Sequence, residues 1–72
     1  MTDYTEAVYG YLRTLGGPGE EVQTAIRPWL EETYGLTNAE ALAVRRRAMV
    51  NLARDGRAER LNVRSRYVRI GS

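Results

Sequence analysis

Tyr4, Val8, Tyr11, Leu12 and Leu15 recur at the i, i+4, i+7, i+8, i+11 spacing of one helical stripe, which predicts a first helix along these positions. Asp3 can cap its start, with Glu6 three residues on. Gly10 lies inside this helix at a cost of about 1 kcal/mol relative to alanine, either as a tolerated defect or as a point where another helix comes close. The run Gly16-Gly17-Pro18-Gly19 stops the helix and turns the chain.

A second stripe, Val22, Ala25, Ile26, Trp29 and Leu30, predicts a second helix with Glu20 and Glu21 in its first turn, where the helix dipole favours carboxylates. Pro28 removes a backbone donor and crowds the carbonyl of Thr24, so this helix is expected to kink there or to restart with Pro28 at its first position. Gly35 ends it in the left-handed cap position. Thr37-Asn38-Ala39-Glu40 has the form of a capping box and opens a long third helix over residues 38–55. Wound at about 100° per residue, it groups Ala41, Leu42, Val44, Ala48, Met49 and Leu52 on one side and Ala43, Arg46, Arg47, Val50 and Arg54 on the other. Asp55-Gly56 closes it. Two short extended segments follow, roughly Arg57 to Leu61 and Tyr67 to Ile70, joined as a hairpin by the wide loop Asn62-Val63-Arg64-Ser65-Arg66.

The expected fold is therefore mostly α with a small β part (α+β), a three-helix bundle followed by a C-terminal two-stranded hairpin. At 72 residues the chain has room for one domain, residues 1–72, which buries only about 60% of its unfolded surface and leaves no space for a large enclosed pocket. No run approaches the ~20 apolar residues that span a bilayer, and no secretory signal order opens the chain, so a soluble cytoplasmic protein is expected. Absent cysteine excludes disulfides and thiolate metal sites, and absent histidine removes the commonest general base and metal ligand. No enzyme activity, cofactor, metal site or small-molecule ligand is expected. The neighbouring acids Glu20, Glu21, Glu31 and Glu32 read as solubilising and dipole-favouring charge rather than as a two-carboxylate site.

Charge changes the picture most. Residues 1–40 carry seven acids against two arginines, and residues 41–72 carry nine arginines against two acids, so the formal charge of +2 conceals halves of −5 and +7. Such asymmetry points to contact with a polyanion. All eleven basic residues are arginine, which suits bidentate phosphate or guanine contact and also follows from a genome of biased nucleotide composition.

Three helices before a basic hairpin, the turn Gly35-Leu36-Thr37 ahead of the third helix, and the segment RRAMVNLARDGRAER (Arg46 to Arg60) together resemble the winged helix-turn-helix family, including bacterial regulators of the GntR type. The resemblance covers nearly the whole chain and implies a recognition helix in the major groove with a wing on the adjacent backbone. Three departures are visible. Gly35 lies 21 positions before Gly56, about one helical turn more than the GntR-like spacing; Arg45 stands where an aliphatic is usual; and Arg57 replaces a common leucine. On the helical wheel Arg45 points between Met49 and Leu52, so it must snorkel, pair with an acid of helix one or two, or rotate the helix outward.

The candidate DNA-binding residues are Arg46, Arg47, Asn51 and Arg54 on the third helix and Arg64 and Arg66 in the wing. The alternative for the arginines is a solvated face, yet no acid falls between Glu40 and Asp55 to balance them. Val50, outward and apolar, suits a thymine methyl group or a protein partner. Trp29, Tyr34 and the tyrosines of helix one sit at core spacing rather than as a base-stacking platform. Duplex DNA is the expected partner, in a small transcriptional regulator or phage-type DNA-binding factor. The alternative is a winged-helix module that binds protein without DNA. Pairing of two copies through helix one stays open.

Overall fold

Residues 3–61 and 66–71 are described in the computed structural model of the chain. The element order is α1 (Thr5–Leu15), β1 (Glu21–Gln23), α2 (Ile26–Tyr34), α3 (Asn38–Arg54), β2 (Ala58–Arg60) and β3 (Tyr67–Ile70). This is an α+β architecture in which three helices pack with a three-stranded antiparallel sheet of order β1-β3-β2. Among the described residues no helix is long and apolar enough to cross a membrane.

The helical stripes form the core. Val8 and Leu12 of α1, Ile26 and Leu30 of α2, and Ala41, Ala48, Met49 and Leu52 of α3 are buried together with Val22, Ala58, Val68 and Ile70 of the sheet. Leu15, the last member of the first stripe, is exposed at the end of α1. Gly10 has nothing within 4 Å of where a side-chain carbon would stand, so it is a tolerated defect and not a packing site. Gly10→Ala is accordingly expected to raise stability by roughly 0.5–1 kcal/mol, read as a higher midpoint in urea with an unchanged slope.

Three termini are set as the sequence dictates. Gly35 adopts φ +68° and donates its amide to the Glu31 carbonyl at 3.0 Å. The capping box at α3 is complete, with Glu40 N to Thr37 Oγ1 at 3.1 Å and Thr37 N to Glu40 Oε1 at 2.9 Å. Those bonds hold the Glu40 carboxyl below its usual pKa. Gly56 turns the chain after α3 with φ +72°. At α1, Asp3 accepts from the amide and hydroxyl of Thr5, while Glu6 turns to Arg57 instead of closing a second capping box.

The expected two-stranded hairpin is corrected to three strands, and the second helix begins later than its stripe suggests. Glu21–Gln23 is a strand paired with β3, with Val22 opposite Val68. The reason is legible in burial: residues 21–26 alternate exposed and buried, so Val22, Thr24 and Ile26 share one face at the period of an extended chain. Pro28 fixes where α2 can start. It occupies the third helical position, where its missing amide has no intrahelical partner to lose.

The expected hairpin strands form β2 and β3, with Ala58 opposite Ile70 and Arg60 opposite Val68. On the outer face Arg69 lies between Glu21 of β1 and Glu59 of β2, and its Nη2 sits 3.7 Å from Glu21. Opposite charges across strands favour this register. Of the expected wide loop over residues 62–66, residues 62–65 lie outside the described residues.

Candidate nucleic-acid interface

α3 turns its small and apolar residues toward α1 and α2, and this fixes what it shows to solvent. Ala43, Arg46, Arg47, Val50 and Arg54 are all exposed, at the i, i+3, i+4, i+7, i+11 spacing of one stripe. Val50 is 65% exposed, an isolated apolar side chain within a basic surface. From Arg46 to Arg54 the stripe covers about 12 Å of helix axis, comparable with the width of the B-DNA major groove.

The fold brings one acid to this face that linear spacing hides. Asp3, at the start of α1, lies near Arg47 and Arg54, which add to the lowering of its pKa caused first by its bonds from Thr5. Arg54 also has Asp55 within 3.5 Å of its Nε, with its own side chain 70% exposed.

The other candidate residues divide. Asn51 is half-buried, and its Nδ2 donates to Thr5 Oγ1 at 2.9 Å, so its amide ties α3 to α1. Arg66 is exposed immediately before β3, and its carbonyl accepts from Thr24 N at 2.7 Å and Thr24 Oγ1 at 2.9 Å. The backbone of Arg66 is thereby held against the entrance to α2. Arg64 lies outside the described residues. The structure thus gathers Arg46, Arg47 and Arg54 on one face and separates Asn51 from it.

Comparison with protein-family models, with curated proteins and with solved structures finds no match to this chain. The site is therefore read from its own chemistry.

Arg57 and Arg45 stand in opposite surroundings. Arg57 lays its guanidinium 4.8 Å over the ring of Tyr9 and forks onto Glu6 at 2.7 and 3.1 Å, fastening the start of β2 to α1. That fork holds the Glu6 carboxyl below its ordinary pKa and raises that of Arg57. Arg45 is half-buried beside α2 and the β2–β3 pair, its Nε buried without a hydrogen-bond partner. It meets no acid there. Burial, then the charges of Arg60, Arg46 and Arg27, lower its pKa.

The aromatic residues act as a seam between helices. Tyr11 stacks on Trp29 with centroids 4.7 Å apart, Trp29 meets Tyr34 edge-on at 5.7 Å, and Tyr34 meets Tyr4 at 4.9 Å. The Tyr11 hydroxyl also accepts from the Ala25 amide at 2.9 Å, just ahead of α2. The rings are packed on one another as core spacing predicts, except that Tyr34, at the C-terminal end of α2, is exposed rather than buried.

Sequence reasoning missed Arg27 and Arg60. Arg60 had a signal: two residues after buried Ala58 in an alternating strand, it belongs to the inward face. Arg27 had none, because the start of α2 was read several residues too early.

Proposed function

We propose that this chain is a winged-helix protein that binds duplex DNA, with α3 as the helix that enters the major groove. The observation that carries the reading is the exposed stripe Arg46, Arg47, Val50 and Arg54 on the longest helix, on the side opposite its core contacts. Three helices followed by the antiparallel β2–β3 pair support the winged-helix part of the proposal, with β1 as a third strand beside them. Arg46 and Arg47 read or grip the groove; Arg54, with the wing residues Arg64 and Arg66, neutralises flanking phosphates. Such a protein serves as a small transcriptional regulator or a phage-type DNA-binding factor.

With Arg46 and Arg47 gripping phosphates as well as Arg54, Arg64 and Arg66, log affinity falls against log salt with a slope of about −4.5. Between 50 and 200 mM salt the affinity should therefore drop by roughly 500-fold. The experiment is selection of bound duplexes from a random pool, followed by a salt titration of the winners. A flat salt response, or no duplex held even at low salt, overturns the reading.

One observation favours a second reading, a module for a protein partner. An open groove of about 550 Å³ runs between the start of α1 and α3, where Tyr4, Leu36, Ala43 and Val44 line it together with the charged Asp3, Glu40 and Arg47. Grooves of this make-up suit an apolar side chain of another protein.

A further inference from the structure

Below the inner face of the sheet, where β1 gives way to α2, a cavity of about 110 Å³ opens between α2, α3 and the β2–β3 pair. Its apolar floor includes Met49 and Val68, and its polar wall is arginine from four directions: Arg27 of α2, Arg45 of α3, Arg60 of β2 and Arg66 before β3. No acid lines it. Arg27 is held at the rim by Glu31 of the same helix, at 2.8 Å from its Nη1.

Each arginine is brought there by the fold rather than by proximity in sequence. Arg60 stands across the strand from buried Val68 and so shares its inward face. Arg45 lies one turn before buried Met49 on the side of α3 that packs inward. Arg66 is drawn to the wall because its carbonyl takes both the amide and the hydroxyl of Thr24. α2 starts at the same wall, with Ala25 supplying no side-chain cap and no acid in the first turn.

We propose that this cavity binds a small tetrahedral oxyanion of the phosphate class, held by Arg45, Arg60, Arg27 and Arg66. Like charges converge on a space several times that needed by one water, and the Nε of Arg45 is buried with no acceptor. An oxyanion supplies the acceptor that Arg45 Nε lacks and brings negative charge to a cluster of planar guanidinium donors. Fluoride or chloride would bring charge without the spaced oxygens that bidentate donors match. A space of about 110 Å³ takes one such anionic group. That group is either free inorganic phosphate or one phosphate of a larger molecule, a DNA backbone included. The site does not depend on the DNA-binding proposal, since it stands on its own lining.

The probe is inorganic phosphate, titrated at constant ionic strength against chloride and followed by the amide resonances of Thr24, Ala25, Ile26 and Arg27. Saturable shifts confined to this wall are expected, at least 10-fold weaker in Arg45→Met and in Arg60→Gln. Linear shifts equal to those with chloride, or saturation unaltered in both variants, overturn the proposal. A duplex arm separates the two sources. Where a backbone phosphate occupies the site, phosphate competes with duplex and Arg45→Met weakens duplex binding; where free phosphate does, the variant leaves duplex affinity unchanged while phosphate binding is lost. If no duplex binds at all, the resonance titration still decides the site.

Discussion

Arg45→Met should make the chain more stable, by about 1–3 kcal/mol in chloride buffer without phosphate. The guanidinium Nε of Arg45 is buried without an acceptor, and Arg60, Arg46 and Arg27 surround it with like charge. Methionine keeps a long flexible stem against Met49 and removes the stranded donor and the repulsion together. For a domain of this size each kcal/mol moves the melting temperature by about 4–8 °C, so an upward shift of roughly 4–24 °C is expected by thermal unfolding. A lower melting temperature would show that Arg45 finds compensation within the fold. Added phosphate should narrow the gap, because an anion bound only to the folded wild type raises its stability by mass action. A residue that costs stability in the absence of its ligand is the common signature of a binding position.

Replacing both Arg46 and Arg47 by alanine is expected to cost about 2–6 kcal/mol of duplex affinity, at 1–3 kcal/mol for each contact. That is a loss of roughly 30-fold to more than 10⁴-fold. The salt slope tells what the two arginines touch: it falls by about 1.8 if both lie on phosphates and stays near its original value if both read base edges. Stability should hardly change, since both side chains are exposed on the face away from the core. Unaltered duplex affinity in this variant would remove α3 from the interface, and loss of a captured protein instead would favour the second reading.

Local rules carried most of the fold. The spacing of Val8, Leu12, Leu30, Ala48, Met49 and Leu52, the capping box at Thr37 and the left-handed Gly35 are all decided within a few residues of themselves, and the structure has each where its neighbours require. β1 was hidden because a three-residue strand has almost no periodicity of its own; Glu21–Gln23 is extended only because β3 offers it a partner more than forty positions away. The stripe on α3 was legible as an exposed face, since its opposite side is apolar. The approach of Asp3 to it was not, nor the bond from Asn51 to Thr5, because both depend on how α1 crosses α3. Arg45 was visible as an anomaly from the wheel alone. Its meeting with three more arginines required the packing of both α2 and β2 against α3.

The strand order has a consequence for how the chain is made. β3 is the middle strand, bonded to β1 on one side and β2 on the other, and β1 touches no other strand. Until Tyr67–Ile70 has left the ribosome, Val22 and Ala58 have no sheet partner and the sheet side of the core has no wall. A message truncated before residue 67 should therefore yield a fragment in which the apolar side that the helices turn to the sheet is uncovered.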